Sequence, residues 1–228
     1  MHAPAKAPVK AKPKPNRGSP AHERFPLIYR RLKKEYPDAK CALVFSNPHE
    51  MLFATILSAQ CTDQMVNKVT EKLFRKYSKI EDYVRADISE LEQDIKSTGF
   101  FRQKSKNLQA SARKLLEEFD GRVPSTMAEL TTLPGAARKT ANIVLGNSFG
   151  KTEGIAVDTH VRRLSQRLGL TSQEDPVRIE QDLMLLVPKP KWFPLSYLFI
   201  EHGRKVCKAP TPRCEDCVIN GLCPSSRV

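Results

Sequence analysis

Apolar residues recur along this chain at intervals of three and four, the spacing that places them on one face of a helix. Leu27, Ile28, Leu32 and Tyr36 form the first such set, and Pro37 ends it. Asn47-Pro48 opens a second helix through Met51, Leu52, Ile56 and Leu57, because proline suits the first helical position. Thr62 and Asp63 suit the cap of a third, with Val66, Val69, Leu73 and Phe74 along one side. Further periodic stretches cover 88–97, 104–119, 126–131, 138–147, 158–168, 176–187 and 194–206. No alternating run longer than a few residues and no fixed-period repeat interrupts them. The fold class is all-α.

At 228 residues the chain suits one large domain or two small ones. It has no apolar run near the roughly 18–20 residues that span a bilayer, and no charged-then-apolar leader. Membrane and secreted classes are excluded on that basis, and a cytoplasmic location is expected. Reduced cysteines then favour metal binding over disulfides. A net charge of +13 points to a polyanionic partner such as nucleic acid. Residues 1–19 hold five of those cations, no acid and four prolines, and read as a disordered basic tail. The +8 left on the remainder still requires a partner.

Two constellations carry chemistry. In Leu133-Pro134-Gly135-Ala136-Ala137-Arg138-Lys139-Thr140-Ala141, a short helix runs into a tight turn and a second helix starts at once. The amides at that start lack intrahelical acceptors, and the helix dipole favours an anion there. An ordinary helix–turn–helix connection has the same turn chemistry, but Leu-Pro-Gly-x-x-x-Lys-Thr-Ala resembles a helix–hairpin–helix, a grip on the DNA backbone. Leu133, Gly135, Ala137, Arg138 and Thr140 are its DNA-binding candidates. The second constellation is Cys207, Cys214, Cys217 and Cys223, four thiols within seventeen residues. They suit a soft metal centre, and spacing alone leaves zinc and iron–sulfur both open. Cys41 and Cys61 read as small buried hydrophobes.

Together these features resemble endonuclease III, the helix–hairpin–helix DNA glycosylase family. The resemblance spans roughly Phe25 to Cys223. Its anchors are Leu57-Ser58-Ala59-Gln60-Cys61-Thr62-Asp63, the hairpin, Val157-Asp158-Thr159-His160 and the four cysteines, in matching order. It implies two helical domains with a DNA groove between them, a six-helix domain near 41–151 and a cluster domain from 20–40 plus 152–228. It also implies that the four cysteines hold a 4Fe–4S cluster.

The implied activity is a monomeric, bifunctional glycosylase/AP lyase acting on damaged pyrimidines or abasic sites in duplex DNA. Lys139 matches the family's Schiff-base nucleophile, and Asp158 its essential carboxylate. A capping role for Asp158 is compatible with that assignment. The helix dipole and Arg138 both disfavour added positive charge at Lys139. His160 is read as a packing or hydrogen-bonding residue. Gln60 matches the glutamine that fills the vacated stack, and Phe100 a wedge position where the family commonly has leucine. Of Phe100 and Phe101, one is expected in the core and the other exposed. Lys208 and Arg213 are phosphate candidates on a loop stiffened by Pro210-Thr211-Pro212. Ala137 departs from the family's second glycine, which would strain the hairpin or alter its grip if that position needs a positive φ or a very close phosphate approach. A non-catalytic helix–hairpin–helix DNA-binding paralogue is the alternative reading. A metal-dependent nuclease ranks last, because no clustered acidic set lies near the grip.

Overall fold

The computed structural model describes residues 14–228, and the basic stretch 1–13 lies outside them. Asn16–Ser19, within the segment expected to be disordered, form a turn closed by the Ser19 amide on the Asn16 carbonyl. Among the described residues there are helices and no strand. The helices are α1 (Ala21–Glu35), α2 (Pro48–Leu57), α3 (Asp63–Lys76), α4 (Ile80–Arg85), α5 (Ile88–Ile95), α6 (Phe101–Glu118), α7 (Met127–Leu130), α8 (Arg138–Phe149), α9 (Thr159–Arg167), α10 (Pro176–Leu186) and α11 (Trp192–Lys205). Ten coincide with the periodic stretches. The exception, α4, is six residues long, too short for a helical period to show.

Local chemistry sets the starts that matter. The Asn47 side chain accepts the Glu50 amide at 3.0 Å, fixing where α2 begins. Every residue of α2 from Met51 to Leu57 is buried, so this helix is apolar all round and forms the centre of its domain. Thr62 caps α3 through the Met65 amide at 3.3 Å.

Two separate buried clusters define two helical domains. Leu43 to Leu145 supply the first, centred on Leu52, Phe53 and Tyr83. Phe25, Ile28, Leu32 and Tyr36 of α1 join Ile155 to Leu222 in the second. The chain therefore leaves the second domain after α1, builds the first, and returns after α8. Arg24 secures the return: its Nη1 donates to the carbonyls of Leu168 (2.6 Å) and Leu222 (2.9 Å). Where α8 meets α11 across the domain boundary, a Cβ on Gly146 would collide with the Phe193 ring. No larger residue permits that approach.

Candidate active site

The cleft between the domains has a volume of about 310 Å³ and draws on both cores. Lys139, from the start of α8, and Asp158, from the start of α9, line it together with Gln60 and His160. The sequence placed Lys139 and Asp158 nineteen residues apart, and folding returns them to one cavity.

The turn before α8 explains its geometry. Gly135 has φ +81°, and a Cβ there would lie 2.9 Å from Asn107 Nδ2, so both backbone and space require glycine. The first bond of α8 runs from the Ala141 amide to the Ala137 carbonyl, which leaves the preceding amides without intrahelical acceptors. Ala137 has φ −69°, an extended conformation open to any residue. The strain anticipated for alanine at this position is therefore absent. Leu133 is buried in the first core, so only its main chain is available to a DNA strand. Lys139 is exposed, and Thr140 is half-buried beside it.

Arg138 is less free than the sequence suggested. Its Nε donates to Glu180 Oε2 at 2.6 Å. Glu180 projects from α10, with its side chain only 5% exposed. Its Oε1 also accepts from Asn142 Nδ2 (2.9 Å) and the Ile155 amide (3.1 Å). One carboxylate thus ties the helix of Lys139 to the segment that leads into Asp158. It also offsets the Arg138 charge that had been weighed against Lys139. A Cβ on Gly154 would collide with this carboxylate. Sequence reasoning passed over Glu180, although it lies on the apolar stripe of Ile179, Leu183 and Val187. An acid on such a stripe signals a buried partner.

Asp158 caps α9, its Oδ1 accepting the amides of His160 (2.9 Å) and Val161 (2.8 Å). Its Oδ2 lies 3.0 Å from His160 Nδ1, the hydrogen-bonding role expected of that histidine. Burial pushes the carboxyl pKa up, but the bonds from His160 and Val161 and the charges of His160 and Lys139 outweigh it. The net shift is below the ordinary aspartate value. Asp158 is therefore a carboxylate at neutral pH, aimed into the cleft. At the rim, Arg204 of one domain pairs with Asp63 of the other at 2.7 Å.

Cys41 and Cys61 correct the sequence reading: both are half-buried and line the cleft. They pack against the first core from its edge, because the chain turns outward on either side of α2. Gln60 is exposed at the mouth. Phe100 is 67% exposed, whereas Phe101 packs on the first core, which resolves the pair as expected.

Cys207, Cys214, Cys217 and Cys223 line one largely apolar cavity behind α11, and none is in a disulfide. Among the described residues, no three metal-binding side chains converge on an ion-sized point. Polar groups reach the sulfurs: Arg167 Nη1 lies 3.3 Å from Cys207 Sγ, and His202 Nε2 lies 3.4 Å from Cys217 Sγ. Burial, reinforced by the other sulfurs, pushes the Cys217 thiol up to about 11 and raises that of Cys223. Lys208 and Arg213 flank the loop. Arg213 donates to the Lys205 carbonyl and sits 3.5 Å from Asp216, which engages part of its charge.

Fold and site together define a helix–hairpin–helix protein with a lysine and a half-buried carboxylate in an interdomain cleft, and residues 53–189 match the HhH-GPD superfamily of base excision DNA repair proteins. The chain belongs to that superfamily and, within it, to the endonuclease III family. Endonuclease III of Synechocystis sp. is 56% identical over 196 residues, which cover 86% of this chain and 90% of that protein. A solved non-covalent endonuclease III–DNA complex matches with a TM-score of 0.87 and 42% identity, over 90% of this chain and 96% of that one. A trapped endonuclease III–DNA covalent intermediate, an estranged-adenine complex, matches with the same TM-score and identity over 90% and 97%. Among the described residues no helix is long and apolar enough to cross a membrane.

Proposed function

We propose that this chain is a bifunctional DNA glycosylase/AP lyase of base excision repair that removes damaged pyrimidines from duplex DNA. The observation that carries this reading is the shared cleft of Lys139 and Asp158, beside a helix start whose amides are free for a phosphate. The amine of Lys139 attacks the sugar C1′, the glycosidic bond breaks, and the base leaves with the bonding electrons. The Asp158 carboxylate stabilises the positive charge that develops on the sugar. Loss of the amine's protons and opening of the ring give an imine. Loss of a C2′ proton then expels the 3′ phosphate and nicks the strand.

The backbone grip is assigned to Gly135, Ala137, Arg138 and Thr140, with Leu133 contributing main chain. Lys208 and Arg213 add phosphate contacts from the cluster loop. Gln60 fills the vacated stack opposite the orphan base, and Phe100 wedges the duplex open. The two apolar cores support a division into 41–151 and 20–40 plus 152–228.

The protein should form a covalent adduct with duplex DNA carrying an oxidised pyrimidine when borohydride is present, and release the free base. Intact, folded protein that gives neither product overturns the reading.

Cys207, Cys214, Cys217 and Cys223 would hold a 4Fe–4S cluster. Four unpaired thiols around one cavity, with an Arg167 N–H and a ring nitrogen of His202 beside two sulfurs, fit such a group. When bound, the cluster supplies iron–thiolate bonds that cross-link the segment just after α11 to the C-terminal loops. Purified protein should contain about four iron atoms per chain and absorb visible light. Cys214→Ser should lose most of that iron, and a colourless zinc protein would reverse the assignment.

A further inference from the structure

Among the described residues, three that are not glycine have positive φ: Gln60 (53°), Phe100 (47°) and Asp120 (50°). The first two are the stack filler and the wedge. A left-handed conformation at such residues persists only where the surroundings enforce it. One side chain contacts both enforcing segments. Lys104 of α6 is 4% exposed, and its Nζ donates to the Leu57 carbonyl at 2.8 Å and the Thr98 carbonyl at 2.7 Å.

Leu57 ends α2, and Gln60 follows three residues later. Thr98 ends the short turn that precedes Gly99-Phe100. The backbone amide of Lys104 also bonds the Phe100 carbonyl at 3.0 Å, so this residue holds the wedge from two directions. Its placement has an electrostatic basis. The carbonyls of Ala54, Thr55 and Ile56 are met by the amides of Ser58 and Ala59, whereas the Leu57 carbonyl, at the negative end of the helix dipole, takes the ammonium. The Thr98 carbonyl makes the same charge serve the other loop. Lys104 lies on the buried stripe of Phe101, Leu108, Ala112 and Leu115, where a methionine of similar length would pack without making either bond.

We infer that Lys104 is a positioning residue that joins the loops of Gln60 and Phe100, so that filler and wedge enter the duplex as one unit. This rests on the roles proposed above for Gln60 and Phe100. It separates two steps: opening the duplex requires the coupled loops, whereas imine formation at an already exposed sugar requires only Lys139 and Asp158.

The full-length protein and Lys104→Met are compared on two substrates. One is a duplex with an oxidised pyrimidine, followed by single-turnover excision. The other is a single-stranded abasic oligonucleotide, followed by borohydride trapping. Lys104→Met should excise from the duplex about 10- to 100-fold more slowly, the range that misplacing a remote positioning group produces. Trapping on the single strand should stay within about twofold. Equal loss on both substrates, as a purely structural lysine would give, overturns the proposal, and so does unchanged duplex excision.

A second measurement leaves Lys104 in place. Gln60→Ala and Phe100→Ala alter exposed side chains only, and their double variant should be no slower on the duplex than the slower single variant. Multiplying losses would overturn the coupling. Two singles that each excise at the parental rate would overturn the roles of Gln60 and Phe100 instead.

Discussion

Lys139→Ala is expected to bind abasic duplex DNA within a few-fold of the parent protein, yet to leave no borohydride-trapped adduct. Excision of a damaged pyrimidine should fall by about 10³-fold or more, because the bond-forming group itself is removed. The substitution suits the question physically. Lys139 is exposed on the first turn of α8, so its loss leaves no cavity, and alanine is the best helix former. The α8 amides that face a phosphate belong to the backbone and remain. Gel shift on an uncleavable abasic analogue, run beside trapping, separates binding from chemistry. Parental levels of adduct in Lys139→Ala would remove the assignment.

Asp158→Asn is the second large effect. Asparagine caps a helix as well as aspartate does, so the bonds to the amides of His160 and Val161 can be retained. What disappears is a negative charge in a partly buried cleft. Withdrawing a preorganised charge of this kind costs about 10²–10³ in rate, and single-turnover excision should slow by that factor while DNA affinity holds. Asp158→Ala should lose the cap as well and be about 1 kcal/mol less stable.

The pH dependence has a definite sign. The folded pKa of Asp158 is depressed, so its stabilising contribution is present above the ordinary aspartate value and is lost as pH falls through the lower folded one. Thermal melting below pH 4 should therefore fall less steeply in Asp158→Asn than in the parent. Full excision by this variant would leave Asp158 only its structural role.

Much of the fold was legible because short-range chemistry determines it. The proline of Asn47-Pro48 announced α2, Thr62 announced α3 as a cap, and Asp158 suited the same role at α9. Apolar spacing marked the longer helices, while α4 had too few residues to display a period. The hairpin was equally plain from its Leu-Pro-Gly-x-x-x-Lys-Thr-Ala pattern, and Gly135 has the positive φ that glycine adopts most readily. The backbone strain weighed at Ala137 is absent for a related reason: it depends on φ, which a single sequence does not display.

The residues that escaped notice are those whose meaning lies in a distant partner. Glu180 is an ordinary helical glutamate until α10 packs against α8 and the Ile155 segment. There its carboxylate meets donors 25 to 42 positions away. Lys104 is one lysine among many until the ends of two other segments turn their carbonyls onto it. Cys41 and Cys61 looked like core residues because cysteine usually is one, and only the path of the chain beside α2 puts them at the cleft.

The sequence by itself determined the all-helical class, the capped starts of α3 and α9, the hairpin and the four-cysteine set. Each follows from neighbours a few residues apart, within reach of a capping bond or a single turn. Only the tertiary structure decided that Lys139 and Asp158 share a cleft, that Arg138 is held by Glu180, and that one ammonium grips both loops. Those arrangements depend on which buried polar groups meet when separate apolar faces close. A buried charge must find its partner wherever packing brings one, whatever the separation along the chain.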